Sequence, residues 1–217
     1  MKEKRKTIIL AILIVMVVIL AAIGGYYWYK NAYFVSTEDA KVTGDLVNVS
    51  PQIAGKLLEL NIEEGDKVIK DQILGRQGMS SLQESNIDQS VFRAPCSGIV
   101  IRKQGTVGEY LSPGQTIAVI VDPAKLYVTA NIEETKLGKV REGQKVDIKV
   151  DQFSDEKFTG KVKHIGQAAN SAFALLPSST SGTFTKVIQK IPVKIEVDTN
   201  DAPLLPGTNA VVSIHIK

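Results

Sequence analysis

A chain of 217 residues, 44% hydrophobic and 23% charged, has room for one or two small domains beside a membrane segment. Its formal net charge is +3, part of it in the first six residues, and the signs are mixed elsewhere, so no nucleic-acid-binding face is expected. The single cysteine, Cys96, excludes an intrachain disulfide; it reads as a small buried hydrophobe and lies too far from the N-terminal apolar run to be a lipidated first residue.

Residues 7–29 carry no charge, and 8–20 are all Ile, Leu, Val, Met and Ala. As a helix this stretch spans roughly 35 Å, against a hydrocarbon core of about 30 Å. Lys2, Lys4, Arg5 and Lys6 precede it, so 1–6 is expected to be a cytoplasmic tail. Tyr26, Tyr27, Trp28 and Tyr29 close it, a group suited to headgroup depth at the outer interface. Ala22 and Gly24 form a weak small-x-small site that would suit a cleaved signal peptide. The apolar run is longer than a signal h-region and ends in aromatics, which favours an anchor. Either way 31–217 is expected outside the cytoplasm.

Beyond Asn31 the period changes to two. Leu58, Leu60 and Ile62 alternate with Leu57, Glu59 and Asn61, and Val146, Ile148 and Val150 alternate with Lys145, Asp147, Lys149 and Asp151. Val193, Ile195 and Val197, then Val212, Ile214 and Ile216, follow the same rule. These are half-buried strands. Glycine turns separate them, including Gly65, Gly98, Gly114 and Gly143. A short helix is expected at 133–137, with Gly138 available as its C-cap.

An internal repeat organises the middle of the chain. Pro51-Gln52-Ile53-Ala54-Gly55, Gly65-Asp66 and Gln72-Ile73-Leu74 form one copy; Pro95-Cys96-Ser97-Gly98, Gly108-Glu109 and Gln115-Thr116-Ile117 form the other. Gly55 to Gly65 and Gly98 to Gly108 are both 10 residues, and Gly65 to Gln72 and Gly108 to Gln115 are both 7. Two matching intervals imply two strand–turn–strand units, each covering the other's apolar face, with the glycines supplying positive φ or close backbone approach.

This paired half-motif resembles the biotinyl/lipoyl-type domain, and the wider chain resembles the membrane fusion proteins, or periplasmic adaptors, of the HlyD/EmrA type. The residues that carry the resemblance are Ser36-Thr37-Glu38-Asp39-Ala40-Lys41-Val42, Val49-Ser50-Pro51-Gln52-Ile53-Ala54-Gly55, Arg93-Ala94-Pro95-Cys96-Ser97-Gly98-Ile99-Val100 and Ala130-Asn131-Ile132-Glu133-Glu134-Thr135. Ser171-Ala172-Phe173-Ala174-Leu175-Leu176-Pro177 and Lys186-Val187-Ile188-Gln189-Lys190-Ile191-Pro192-Val193 resemble signatures of the drug-efflux branch. The resemblance implies a mainly β chain: a transmembrane helix at 7–29, a linker and first barrel strand at 30–45, a lipoyl-like β-sandwich at 46–122 and a β-barrel at 123–217. The strand near 36–45 then joins the barrel, and the sandwich is an insertion between barrel strands.

The resemblance also implies a function: a non-catalytic adaptor that forms homo-oligomers and docks on an inner-membrane transporter. A proton-driven, major-facilitator-type multidrug pump is the favoured partner, with an ATP-driven peptide or protein exporter as the alternative. Energy would come from that partner. The departure from the family is at 75–92, where members usually carry a long helical hairpin. Two arms of about 8 residues reach only roughly 12 Å, and Ser80, Ser81, Gln83, Ser85, Asn86 and Gln89 give the segment the look of a polar loop or short helical turn. A Gram-positive setting, or an adaptor that reaches no outer-membrane channel, would account for the loss.

Other chemistry is poorly supported. A lipoyl or biotin carrier needs a tip lysine, and none occurs between Asp71 and Arg102, Met79-Ser80-Ser81-Leu82 included. His164 and His215, the only histidines, stand far apart without ligand spacing to Cys or His, so no metal site is expected; His215 reads as solvated. Glu63–Glu64, Glu133–Glu134 and Asp155–Glu156 sit in turns or at helix starts, where acids are common without catalysis. No catalytic residue and no cofactor is nominated. The loop 168–185 remains: it is either a flexible connection with one hydrophobic staple, or a docking surface in which Phe173, Leu175 and Leu176 meet a transporter or a second adaptor copy. The structural turn glycines are expected to be Gly55, Gly65, Gly98, Gly108, Gly114 and Gly143.

Overall fold

The computed structural model describes residues 2–78, 88–153, 156–173, 187–198 and 203–216, with the side chains of 2–11 and of Phe173 set aside. It begins with helix α1 (Lys2–Tyr33), whose stretch Ile12–Tyr33 is 22 residues long and apolar enough to cross a membrane. The helix runs past Tyr29, where the apolar reading ends, and passes to strand β1 (Phe34–Thr43) with no residue between them.

The chain divides into two compact units. One is a closed barrel of β1, β10 (Tyr127–Glu133), β13 (Lys190–Asp198), β12 (Phe158–Ile165), β11 (Lys145–Val150) and β14 (Asn209–His215), in that order around the wall. Its core follows the period of two. Val146, Ile148 and Val150 are buried with Val193, Ile195, Val212 and Ile214, while the intervening residues face out. Burial of one such side chain contributes about 1.5–3 kcal/mol, which is why alternation alone fixes the inward face. Gly160 in β12 is a close-approach site, since a Cβ there would lie 2.3 Å from the Glu196 carbonyl oxygen. Helix α2 (Glu134–Leu137) is short, and Gly138 ends it with φ −56°, ordinary helical backbone, so the left-handed glycine cap that the sequence offers is not used.

The other unit holds two four-stranded sheets. One runs β2 (Leu46–Val49), β9 (Ala118–Val121), β7 (Gly98–Lys103), β4 (Lys67–Val68); the other runs β6 (Val91–Arg93), β5 (Ile73–Gly78), β3 (Gly55–Leu60), β8 (Tyr110–Leu111). Leu57, Leu74, Val100, Leu111, Ile117 and Ile120 fill the space between them.

The repeat governs this unit bond by bond, with residue n of the first copy matched by n + 43 in the second. Gly55 and Lys56 pair with Leu111 and Tyr110; Gly98 and Ile99 pair with Val68 and Lys67. Each copy therefore lends its short central strand to the sheet of the other. The Gly65 N–H donates to the Val100 carbonyl and the Gly108 N–H to that of Leu57, both at 2.8 Å. Even the irregularity recurs: register shifts fall between Leu57 and Glu59 and between Val100 and Arg102.

That bulge overturns one expectation. Leu58, Leu60 and Ile62 were to share the inward face, but Leu57 is fully buried and Leu58 is 52% exposed, while Leu60 and Ile62 are buried. The extra residue at the bulge shifts the parity of the strand between Leu57 and Leu60. A second difference concerns 75–92, expected as a polar loop or short helical turn. Its flanks are strands: Gly75 pairs with Phe92 and Arg76 with Val91, and a single turn of 3-10 helix, Asp88–Ser90, precedes β6. The polar composition that suggested a loop lies mainly at 79–87, outside the described residues. Third, residues 203–208, expected in the barrel, cluster with the sandwich. Leu204 is buried there, and Val42 donates to the Thr208 carbonyl at 2.9 Å while accepting from Gly207 at 2.8 Å.

Candidate functional site: a polar knot beneath the drug-efflux-like loop

The docking loop nominated from sequence sits between a turn of 3-10 helix, Asn170–Phe173, and β13. The backbone of Phe173 ends that turn; Leu175 and Leu176 lie outside the described residues. The described flanks of the loop converge. On one side Asn170 Nδ2 donates to Asn131 Oδ1 at 2.9 Å. On the other Lys190 Nζ meets Asp39 Oδ2 at 2.7 Å. Between them Asn131 Nδ2 donates to Asp39 Oδ1 at 3.0 Å. Thr37 Oγ1 donates to the Asn131 carbonyl at 3.0 Å and accepts from the Asp39 N–H at 3.1 Å. The N–H of Glu134 donates to the Gln189 carbonyl at 2.9 Å.

Strands β1 and β10 position this knot because they are neighbours in the barrel and its side chains stand on the half-buried outer face. A register shift in β1 between Thr37 and Ala40 turns Asp39 toward Asn131. The lysine and asparagine donors hold the Asp39 carboxyl below the usual aspartate range, outweighing the burial that would raise it. A cleft of about 630 Å³ opens over the knot, and three lysines (Lys30, Lys136, Lys190) and three acids (Glu38, Asp39, Glu133) line it. Lys136 is itself paired with Glu133 at 2.9 Å, which lowers the Glu133 carboxyl.

Chemically the arrangement is a clamp. One carboxylate accepts from both an ammonium and an amide, and a second amide continues the chain, so Asn170 and the first residue of β13 are joined through β1 and β10 without any nucleophile–base pair. Sequence reading missed Asp39, Asn131, Asn170 and Lys190 as a set. The available signal was Asn131, an asparagine inside a strand pattern where that residue is disfavoured. Beside the knot Val187 and Ile188 are exposed, 64% and 59%.

The glycines separate into two kinds. Gly65, Gly108, Gly114 and Gly143 have φ of +96°, +95°, +83° and +84°, the left-handed region of tight turns. Gly55 and Gly98 do not; they open β3 and β7, where a Cβ would lie 2.2 Å from the Gly78 and Val121 carbonyl oxygens respectively. In the first copy the position matching Gly114 is Asp71, the one described non-glycine with positive φ, at 66°. The histidines stand apart: His164 is exposed and paired with Glu142 at 3.1 Å, and His215 pairs with Asp147 at 2.7 Å, so the latter is less free than its sequence suggested.

A membrane-length helix, a closed barrel and a sandwich of two interchanged half-motifs define a membrane-anchored adaptor of the barrel–sandwich hybrid class. Residues 45–123 match the family described as the RND MFP barrel-sandwich hybrid domain, and 126–214 match the YknX-like beta-barrel domain. YhbJ of Bacillus subtilis, which is named as an efflux system component, is 37% identical over 183 residues, covering 83% of this chain and 79% of that protein. The multidrug export protein EmrA of Escherichia coli is 29% identical over 85% of this chain, which spans only 50% of the length of EmrA. The solved structure of the membrane fusion protein Spr0693 from Streptococcus pneumoniae superposes with a TM-score of 0.63 at 18% identity, covering 85% of this chain and 99% of that one. The chain belongs to the membrane fusion protein family.

Proposed function

We propose that this chain is the non-catalytic adaptor of a multidrug efflux complex. It is held in the membrane by α1 with its N-terminus in the cytoplasm and its barrel and sandwich outside. It assembles as a homo-oligomer and docks on an inner-membrane transporter of the major-facilitator type through the loop 168–185, with Phe173, Leu175 and Leu176 as contacts. The observation that carries the reading is the clamp: Asn170, near the start of a loop rich in apolar and hydroxyl residues, is tied to Asn131 on the barrel, and Lys190, where β13 begins after the loop, is tied to Asp39 in the same network. A merely connecting loop needs no such anchorage. Exposed Val187 and Ile188 extend the apolar character beside it. The likeness to the EmrA branch supports the drug-export reading. The absence of a long stretch between β5 and β6, only 79–90, supports an adaptor with short reach.

Affinity purification of the full chain from native membranes tests the partner. A co-purifying major-facilitator transporter is expected, and an ATP-hydrolysing exporter in its place would replace that assignment. F173S/L176S should abolish export while leaving circular dichroism unchanged. Export at the parental rate in that variant removes the docking role.

A further inference from the structure

We infer that the cleft where α1 meets the barrel seats the headgroup of an anionic phospholipid. The inference rests on the reading of α1 as a membrane anchor and goes beyond it, by assigning a lipid class and the residues that select it.

The placement follows from the chain path. Tyr33 ends the helix and Phe34 begins β1, so no linker separates membrane from barrel. Six residues from Trp28 to Phe34 rise roughly 9 Å, and the interfacial layer on each side of a bilayer is about 5–8 Å deep. With the aromatic group at that depth, Lys30 and the adjoining end of the barrel stand among headgroups.

The cleft there has a volume of about 380 Å³. Tyr26, Tyr29 and Phe34 give it an apolar wall, and Lys30, Lys149 and Lys157 give it ammonium groups from the helix, β11 and the residue before β12. Three lysines of this unit are matched elsewhere: Lys136 with Glu133, Lys163 with Glu196, Lys190 with Asp39. Among the described residues these three have no carboxylate within ion-pair distance. The one carboxylate lining the cleft, Asp147, is already engaged by His215 at 2.7 Å.

Two of the lysines come near each other. Ile148 and Phe158 are the last pair of β11 and β12, and Lys149 and Lys157 are the residues next to that pair. Like charges held near one another repel; an anion between them reverses the sign. An apolar wall on the membrane side and a rim of three lysines against one aspartate, net positive, match an amphiphile whose head is anionic. A free anion would have no use for the wall, and a zwitterionic head would bring its own cation to the rim.

The test uses Trp28, the only tryptophan in the chain, as reporter. The full chain is reconstituted in mixed vesicles containing brominated phosphatidylglycerol or brominated phosphatidylcholine, and quenching gives the relative association constant of the two lipids. Each lysine near an anionic surface contributes about fivefold at low salt. A preference for phosphatidylglycerol of about fivefold or more is expected, falling to near unity in K30Q/K149Q/K157Q, to an intermediate value in K157Q, and unchanged in K163Q. Equal quenching by both lipids in the parent overturns the inference, as does a K163Q that loses preference as far as the triple variant. Loss of the preference on adding millimolar inorganic phosphate would reassign the cleft to a free anion. Quenching by neither lipid would instead remove the anchor reading itself.

Discussion

The two kinds of glycine in the sandwich should respond very differently to one added methyl. A Cβ at Gly98 would meet the Val121 carbonyl oxygen at 2.2 Å and its carbonyl carbon at 2.8 Å. Ordinary contact begins near 3.4 Å, so β7 and β9 would have to part by roughly 1 Å at that point, beyond what a hydrogen bond tolerates. Losing two ladder bonds at about 1 kcal/mol each, plus the packing beneath them, gives about 3 kcal/mol for G98A. Gly65 has open space around its Cβ position and a φ of +96°, so G65A bears only the backbone cost, about 1–2 kcal/mol. Cys96 supplies a local probe, since it is the single cysteine and packs against the sandwich core. Its labelling rate as a function of urea reports opening of this unit rather than of the barrel. With a slope near 1 kcal/mol per M urea, the midpoint should fall by about 3 M in G98A and about 1–2 M in G65A. G55A, related to G98A by the repeat, should match G98A. If G98A is no worse than G65A, the close-approach account of these strand-opening glycines is wrong.

Leu57→Ser should destabilise the sandwich by about 3 kcal/mol or more and Leu58→Ser by less than about 0.5 kcal/mol, read by the same thiol assay; the reverse order would place the bulge elsewhere. Asp39→Asn should leave Lys190 without its counter-charge and lower the amide protection factors at Lys190, Ile191 and Val193, while Glu196→Gln, whose partner Lys163 lies outside the clamp, should not. Because the Asp39 carboxyl is depressed in the folded chain, the contribution of the clamp is fully present above the usual aspartate range and is lost as pH falls below it. Those protection factors, each taken against the intrinsic exchange rate at its own pH, should therefore fall on acidification below about pH 4 and be flat from there to neutrality. Conversely, Tyr127, raised by burial and by the neighbouring Asp45 carboxylate, should titrate above the usual tyrosine range, with its ultraviolet absorbance shifting only at correspondingly higher pH; an unshifted curve would remove the Tyr127–Asp45 contact.

Much of this fold is legible before any coordinates. The two equal glycine intervals imply two copies, and the period of two in β11, β13 and β14 points to the residues that fill the barrel. What periodicity cannot carry is a change of phase. Nothing around Leu57-Leu58-Glu59-Leu60 announces a bulge, and two adjacent leucines fit either face equally well. Strand exchange between the copies is also hidden, because matching intervals are the same whether a short strand completes its own sheet or the other one. The loop 168–185 drew attention through composition, but its clamp did not: Asp39, Asn131, Asn170 and Lys190 are scattered over 151 positions and meet only because β1, β10 and β13 are neighbours. Lone charges behave likewise. Lys149 and Lys157 look like ordinary solvated residues until the fold places them in one cleft.

The exchanged short strands set the order in which this chain can become a protein. When the first copy leaves the ribosome, β3 lacks β8, which arrives about 55 residues later, and β4 has no strand to rest on until β7 follows about 31 residues later. Neither half can therefore mature alone, and the nascent segment must travel with open strand edges. A chain that folds only after both halves have been delivered to the same side of a bilayer has a built-in safeguard against closing too early. It also has an interval of exposure during which a chaperone, or a second nascent copy, could reach it first.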